Sequence, residues 1–520
     1  MLTKKENRNK SVMQFVDMEM LVPQDHLVRK IDKTIDFEFI RDKVKHLYSD
    51  EKGRPSIDPV VLFKMIFIQY LFGIKSIRQT VKEIEVNIAY RWFLGLDFTE
   101  PVPHYSTFSK NYERRFSNSN IFEEIFLEIL NKVNEKGLLN KETLFIDSTH
   151  TKAYANKRKI DKKEVEVSYN KYVETLHNEI NEIRKSEGKK PINFTEKKTE
   201  SISKTDPECG MFHKGEKEQQ LAYSTQVACD ENGWVTNAMV FPGNMNDNNS
   251  GTEFIEEIVK DKEVKNTVMD AGYTSPVLLN EVIEAGLTPV VPYTRPKGAK
   301  TKKDKDDEQP FYSTQYIFDK EHNCYICPLG IILSYRGINS QGNLSFKSKT
   351  KDCKNCPLKH RCTNQNFKEI QRNVLEHASD YAREIRLSEL GKQLYPKRKT
   401  TIERCFAITK FNNNLGFTFL RGRKKNQDRV LIIFACHNLI KLARILHKRT
   451  SSIITYLRFF FGKVFFLSLT CGEKEKGTYK STFCHHSERW ENPTFLLLYC
   501  PSTVFKDLNC LSIICCSNNR

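Results

Sequence analysis

The chain has 520 residues, enough for about two to four domains with a sizeable core. Its 83 Lys and Arg against 65 Asp and Glu give a formal charge of +18, which favours a polyanionic partner such as nucleic acid. A membrane partner is disfavoured, because the sequence contains no uncharged apolar run of membrane-spanning length. The charged N-terminus disfavours a secretory signal, so we expect a cytoplasmic protein whose 15 cysteines are reduced thiols or metal ligands.

The N-terminal part of the chain predicts an all-helical domain. Asp58 followed by proline is a typical helix start, and a second helix follows from Ser76 with apolar residues at near-helical spacing. A third helix begins near Ser106 and exposes Arg114 and Arg115. Short helices joined by tight turns are typical of a helix-turn-helix DNA-binding unit, although an ordinary helical domain with solvated charges fits equally well.

Two short apolar strands each end at an aspartate. Thr143–Ile146 is followed by Asp147 and two hydroxylic residues, and Thr267–Met269 is followed by Asp270 and a turn. A carboxylate at the end of a buried strand is well placed to bind a divalent ion, because the strand fixes the backbone. A lone aspartate in this position more often only caps a turn. The repetition of the pattern favours the metal-binding interpretation.

The elements around these aspartates predict a mixed α/β sheet. A charged segment over residues 156–198 follows the first strand. It could be an inserted helical arm or a mobile loop, but a solvated face is the better interpretation. The remaining predicted elements are a hairpin over 221–229 and 234–241, a helix over 252–260, a strand over 267–270, a helix over 276–285 and a strand over 288–292. Three consecutive strands followed by alternating helices and strands is the connectivity of the ribonuclease H-like fold.

A third acid, Glu403, lies in a strongly basic segment. Nine Lys or Arg and only this one acid occur between residues 397 and 426. Glu403 also fits a helix capping box with the threonine three residues before it. The charge ratio instead favours a metal-binding carboxylate within a phosphate-binding surface. Lys399 and Lys410 would share a face with Glu403 on a continuous helix, so Lys399, Arg404 and Lys410 are candidate DNA-binding residues.

Three carboxylates from separate segments can hold two metal ions. Hard oxygen ligands select Mg²⁺ or Mn²⁺, and two such ions are suited to phosphodiester chemistry. Asp230 and Asp247 are competing acids, but each lies among turn residues, so we expect both to be structural.

The cysteines of the region before Glu403 predict a separate metal site. Two C-x2-C pairs, with Cys362 or His360 as spare ligands, could form a tetrahedral zinc site. The four candidate ligands are Cys324, Cys327, Cys353 and Cys356. The alternative is a set of reduced cysteines that pack a small β-rich insertion.

Several of these motifs together resemble one protein family. They are Arg91–Gly95 with Ser106–Phe108, Ile146–Thr149, Asp270–Tyr273, and the helix of Glu403. The chain resembles bacterial insertion-sequence transposases of the DDE class, in the branch with a Tyr-Arg-Glu-Lys signature and its IS-eleven-eighty-two-like group. The resemblance covers roughly residues 10–445 and implies that Asp147, Asp270 and Glu403 form the catalytic triad.

The signature around the last acid is matched in part. In the family, Tyr precedes Arg by three positions, Glu follows Arg by four, and Lys follows Glu by seven. Glu403 and Lys410 fit this spacing, Lys399 takes the Arg place beside Arg398, and Tyr395 is displaced by one.

We therefore expect an N-terminal helical domain, a ribonuclease H-like core interrupted by a cysteine-containing insertion, and an atypical tail. The predicted boundaries are 1–135 for the helical domain, 140–295 and 396–448 for the core, 296–395 for the insertion and 449–520 for the tail.

The resemblance implies a cut-and-paste transposase. Such a protein binds the terminal inverted repeats of its element, cleaves at each end and joins the freed 3′-hydroxyl to target DNA, as a homodimer or higher assembly. Two alternatives remain open. One is a ribonuclease H-like nuclease without strand transfer, and the other is a non-catalytic DNA-binding protein from a degenerate copy.

Overall fold

A computed structural model describes residues 16–49, 55–166, 171–194, 197–214, 218–292, 311 and 315–470. The helices are α1 (Met18–Leu21), α2 (Leu27–Asp32), α3 (Phe39–Val44), α4 (Pro59–Leu71), α5 (Ile77–Val86), α6 (Ile88–Leu94), α7 (Tyr105–Asn111), α8 (Ile121–Glu135), α9 (Lys171–Ser186), α10 (Asp247–Ile258), α11 (Pro276–Glu284), α12 (Thr350–Lys354), α13 (Lys359–Cys362), α14 (Glu376–Leu387), α15 (Glu389–Leu394), α16 (Ile402–Asn412) and α17 (Arg423–Thr470). The strands are β1 (Thr143–Lys152), β2 (Ile160–Glu166), β3 (Lys197–Ser203), β4 (Gly210–Lys214), β5 (Glu218–Cys229), β6 (Val235–Pro242), β7 (Asn266–Val268), β8 (Thr288–Val290), β9 (Ile317–Asp319), β10 (Cys324–Ile326), β11 (Ile332–Ile338), β12 (Leu344–Lys347) and β13 (Glu369–Arg372).

The chain divides into two units, Met1–Ile453 and Ile454–Arg520. The described part of the second unit, residues 454–470, is helical. The first unit is a mixed α/β structure, as predicted. Residues 471–520, which make up most of the predicted atypical tail, lie outside the described residues.

The N-terminal helices begin where their capping residues predict. The Asp58 carboxylate accepts the N–H of Val60 at the start of α4, and the Ser76 hydroxyl caps α5. The second helix is shorter than expected, because the Asn87 side chain ends it and caps the new helix α6. Short helices at changing angles are the result.

The main sheet has the order β4-β5-β1-β7-β8, with β6 also paired to β5. β5 runs antiparallel to β1, whereas β7 and β8 are parallel to it. The predicted hairpin corresponds to β5 and β6. β1 does not end at Asp147 as predicted but continues to Lys152, because β5 pairs with it as far as that residue. On its other side, pairing with β7 ends at Phe145.

Apolar clusters cover both faces of β1. Phe145 belongs to a large cluster that joins the N-terminal helices to β5 and α17. Its neighbours Leu144 and Ile146 point to the opposite face, where they pack with α10, α11 and α14. Burial on both faces explains the uninterrupted apolar run before Asp147.

The charged segment that precedes the hairpin contains the β2–β3 ribbon and α9. α9 is not the solvated face that we expected, since Leu176 and Ile180 pack against Ile338 of the insertion. Arg184 Nη1 donates to the Asn339 carbonyl at 2.7 Å. The segment therefore docks on the sheet that contains the cysteines.

The insertion forms a separate antiparallel sheet in the order β13-β12-β11-β10-β9. Its small core consists of Tyr316, Tyr325, Leu333, Phe346 and Ile370. The later helix α14 does not pack in this core. Its residues Ala378 and Ala382 belong to the apolar cluster that covers Leu144 and Ile146 of the main sheet.

α17 contains the expected packing helix over residues 430–446. By length and composition alone, its part Arg423–Lys448 could cross a membrane, but 67% of that apolar window is buried inside the protein. Core helices of soluble proteins share these properties, so this observation is weak evidence for a membrane span.

A buried hydrogen bond joins the N-terminal helices to α17. Tyr112 Oη donates to Asp428 Oδ2 at 2.7 Å. We expect Tyr112→Phe to lower the free energy of unfolding by about 1–2 kcal/mol, because it removes one partner of a buried carboxylate. Chemical denaturation measures this loss. Tyr105→Phe removes the hydroxyl of an exposed pair with Arg78 and is the matched control. Equal effects of the two substitutions would contradict the structural role of Tyr112.

Candidate active site

Asp147 lies where the parallel pairing of β1 and β7 has just ended. The register pairs Phe145 with Val268, so continuing it by two residues places Asp147 opposite Asp270. Because side chains alternate along a strand, both aspartates follow the face of Phe145 and Val268. The fold therefore brings together the two aspartates that the sequence singled out.

The Asp147 carboxylate is largely buried, with 17% of its side chain exposed. Arg398 Nη2 donates to Oδ2 at 2.7 Å, and the Ser148 N–H donates to Oδ1 at 2.8 Å. Burial raises the pKa of Asp147 to about 7, the Arg398 guanidinium opposes this shift, and the charges of Asp270 and Asp247 add to it. The charges of two neighbouring aspartates thus act on the buried Asp147 carboxylate.

Asp270 lies beside Asp147 and also begins a turn. Its Oδ1 accepts the N–H of Gly272 at 2.7 Å and caps the short 3-10 helix Ala271–Tyr273. The capping role considered from the sequence is therefore present, and it fixes the carboxylate beside β1.

Asp247 is the acid that sequence reasoning missed. Its Oδ2 and the Oδ1 of Asp270 both lie within 3.0 Å of the point where a Cβ on Gly272 would stand. The two carboxylates therefore face one small space, which a side chain at Gly272 would fill. We expected only a turn role, but the Asn246 side chain caps α10 so that Asp247 becomes its first residue. The helix cap at Asn246 was the sequence signal that could have placed Asp247 at the start of a helix.

A buried amide orients Asp247. Gln226 Nε2 donates to Asp247 Oδ1 at 3.1 Å and to Ser250 Oγ at 2.8 Å. The Tyr273 hydroxyl donates to Gln226 Oε1 and thereby fixes which end of the amide faces the carboxylate. Gln226 and Tyr273 are both fully buried. This network positions Asp247 from the interior of the sheet.

Glu403 is exposed at the first turn of α16. It forms no capping box, since the N-cap is Thr401 without a side-chain cap, and the Thr400 hydroxyl donates instead to the Lys397 carbonyl. The buried ion pair of Arg398 with Asp147 brings the segment before α16 to the aspartates. The structure thus places Asp270 near both Asp147 and Asp247 and leaves Glu403 at the surface.

Arg398, and not Lys399, is the buried cation before Glu403. Its side chain is 8% exposed and pairs with Asp147, whereas Lys399 is exposed. Tyr395 precedes Arg398 by three positions, and its ring lies 5.9 Å from the guanidinium. One additional residue before Glu403 explains the mismatch. The prediction that Lys399 shares a continuous helix with Glu403 is wrong, because α16 begins at Ile402.

Fewer cations of the basic segment, residues 397–426, are available to bind DNA than its composition suggested. Five of its nine cations form ion pairs with acids from distant parts of the chain or from α17 itself. These pairs are Lys397–Glu231, Arg398–Asp147, Arg423–Glu253, Lys424–Asp428 and Lys425–Glu113. Among the candidate DNA-binding residues, Lys399, Arg404, Lys410 and Arg114 are exposed. Arg115 is half-buried, with its guanidinium over the Tyr48 ring.

The donor set of the aspartates fits Mg²⁺ or Mn²⁺ chemically, since it consists of hard carboxylate oxygens. Within the described parts of the chain, no three or more His, Cys, Asp or Glu side chains are already gathered as a metal site. The same holds for the predicted zinc ligands. Cys324 is in β10 and Cys327 follows it, while Cys353 lies in α12 and Cys356 just after.

Two family models match the chain. Residues 16–114 match a transposase domain (DUF772), and residues 320–443 match a transposase DDE domain. The two matches support an insertion-sequence DDE transposase. The second range contains Glu403, Arg398 and the four candidate zinc ligands, whereas Asp147 and Asp270 lie outside both ranges. No curated protein and no solved structure matches the chain. A transposase acts on DNA, so these matches also support DNA as the partner.

The raised pKa of Asp147 predicts a pH-dependent stability of the metal-free protein. The folded state keeps the Asp147 proton up to about pH 7, whereas the unfolded chain releases it near the ordinary aspartate pKa of 3.8. The free energy of unfolding should therefore fall as pH rises from about 4 to 7. Asp147→Asn should remove a contribution on the order of 2–4 kcal/mol from this fall.

Chemical denaturation in EDTA at pH 5 and pH 8 measures this difference for wild type and variant. An identical pH dependence of both proteins would contradict the assignment of the shift to Asp147.

Proposed function

We propose that this chain is a DNA transposase of the DDE class, in the branch with a Tyr-Arg-Glu-Lys signature and its IS-eleven-eighty-two-like group. The proposal includes a ribonuclease H-like core preceded by a helical DNA-binding domain. The strand order β6-β5-β1-β7-β8, with β1 antiparallel to β5 and parallel to β7, supports that fold. Arg398 beside Tyr395 supports the branch.

The observation that carries the proposal is the meeting of carboxylates at the end of parallel strands. Asp147 and Asp270 continue the register of β1 and β7, and Asp247 shares the space at Gly272 with Asp270. Such a group suits phosphodiester cleavage better than structural pairing, because mutual repulsion of buried carboxylates costs stability unless a cation offsets it.

Asp147, Asp270 and Glu403 are the proposed catalytic acids, and Asp247 is added as a fourth. Together they would hold two Mg²⁺ or Mn²⁺ ions. When bound, such ions supply positive charge that favours deprotonation of the attacking hydroxyl and stabilises the leaving oxygen. The reaction would be hydrolysis at each transposon end, followed by attack of the freed 3′-hydroxyl on target DNA.

The residues around the acids have supporting roles. Arg398 holds the Asp147 carboxylate in place through its buried ion pair. Gln226 and Tyr273 orient Asp247 from the interior of the sheet. Glu403, at the exposed start of α16, would approach the aspartates from the DNA side. Its exposure leaves it free to do so without breaking a buried contact.

Exposed cations near α16 are the proposed contacts to the DNA backbone. Lys399, Arg404 and Lys410 would bind phosphates, because exposed cationic side chains release counterions from DNA when they bind its backbone. Arg114 and Arg115 would contribute from the N-terminal helices, which we propose to bind the terminal inverted repeats. Two ends react together, so a homodimer or larger assembly in the cytoplasm is part of the proposal.

Substitution of single acids tests the proposal. Asp147→Asn, Asp270→Asn and Glu403→Gln should each lower Mg²⁺-dependent cleavage of the element's ends by at least about 100-fold, because each removes a charge needed in the transition state. Asp247→Asn should do the same. Binding of the ends, measured by mobility shift in EDTA, should stay within a few-fold of wild type. A gel assay on labelled end DNA measures cleavage and strand transfer.

Glu253→Gln is the matched control, since Glu253 lies on the same helix as Asp247 but pairs with Arg423 at the surface. It should retain cleavage. Retained cleavage in any one acid variant would remove that residue from the active site. Cleavage by wild type without joined products would indicate a nuclease without strand transfer. End binding without any cleavage would indicate a degenerate, non-catalytic copy.

A further inference from the structure

The insertion does not place its first two cysteines on one face of the sheet. In β10, Cys324 and Ile326 alternate with Tyr325, which belongs to the small core of the insertion. Cys327 packs against that same core. Cys324 instead lines a pocket with Ile326 and other residues on the opposite face. The C-x2-C pair is therefore split between two faces.

Three thiols, those of Cys327, Cys353 and Cys362, lie around the Tyr316 hydroxyl. This hydroxyl lies 3.0 Å from Cys362 Sγ and is within electrostatic reach of Cys327 and Cys353. Cys362, like Cys327, packs against the core. Cys356 follows Cys353 in the same tight turn, where its N–H donates to the Cys353 carbonyl. Thiols from three separate segments thus converge.

The turn after β10 directs a backbone N–H at the Cys327 thiol. The Ile331 N–H donates to Cys327 Sγ at 3.3 Å. The turn is closed by the Gly330 N–H, which donates to the Cys327 carbonyl at 2.8 Å. Gly330 has φ of 80°, a conformation that favours glycine. The turn therefore holds the Cys327 sulfur in a fixed position, and sulfur is a ligand that suits zinc.

The sheet of the insertion has only a small apolar core. Its core consists of five buried side chains. Small domains with a core of this size commonly need a metal ion or disulfides to fold stably. Free cysteines beside this core could bind such a metal ion.

We propose that Cys327, Cys353 and Cys362, completed by Cys356, bind one structural zinc ion, and that Cys324 is not a ligand. This set replaces the one expected from spacing alone. Among the described residues no such ligand group is preformed. Binding therefore requires the thiols to move inward and to displace the Tyr316 hydroxyl from Cys362. Each thiol that binds zinc releases its proton to solvent. This proposal is independent of the DNA chemistry.

Metal content of the full-length protein tests the assignment. Protein purified in the presence of a thiol reductant and Zn²⁺, then freed of loose metal by gel filtration, should retain about one zinc per chain, as a single site of this kind requires. Cys327→Ser and Cys362→Ser should each lose most of it. Cys324→Ser, the matched control on the opposite face, should retain it. Tyr316→Phe should also retain it, because the hydroxyl is a competitor of the metal and not a ligand.

A titration of metal-free wild type with Co²⁺ keeps the test independent of whether a variant folds. It should give the absorption of tetrahedral cobalt thiolate, saturating near one equivalent and abolished by Zn²⁺. Absence of bound zinc and of this spectrum in wild type would overturn the proposal. Loss of zinc in Cys324→Ser equal to that in Cys327→Ser would overturn the ligand assignment.

Discussion

The parallel pairing of β1 with β7 is the constraint on which the candidate site depends. It is only three residue pairs long, yet it sets the register that leads Asp147 and Asp270 to the same edge of the sheet. Apolar clusters on both faces of β1 hold this register, since a shift by one residue would exchange Phe145 with its neighbours between two different cores. The packing that stabilises the fold therefore also fixes the geometry of the acids.

Placing carboxylates at this edge has an energetic cost. Burial disfavours the charged form of Asp147, and two neighbouring aspartates add repulsion. Arg398 offsets part of that cost and links the sheet to the segment before α16. Without the guanidinium, charges at this position would oppose folding. The hydrogen bond between Tyr273 and Gln226 similarly holds the amide that orients Asp247. Both polar groups would be costly to bury without a partner.

Much of the fold follows from local sequence signals. The caps at Asp58 and Ser76, the hairpin turn after Cys229 and the apolar run before Asp147 depend on nearby residues alone, and each predicted its element. The domain boundaries and the site residues drawn from the sequence stay predictions until they are tested. What sequence reasoning missed depends on contacts between distant segments. Asp247 gains its position only when α10 packs against β5 and the Ala271–Tyr273 turn.

Contacts between distant segments also explain what was missed about the basic segment and about residue spacing. The basic segment appeared free because its acidic partners, such as Glu231 and Glu253, lie far away in sequence. Arg398 was passed over because spacing was counted from Glu403 through an additional residue. Strand alternation separates Cys324 from Cys327, but this required knowing that β10 includes Cys324 and ends at Ile326.

The central claim is that Asp147 and Asp270 belong to one divalent-metal site. Anomalous diffraction from crystals of the protein soaked in Mn²⁺ tests it most directly. The account predicts an anomalous peak in contact with the carboxylates of both residues. Well-ordered aspartates without such a peak, or Mn²⁺ bound only at sites distant from both, would contradict it.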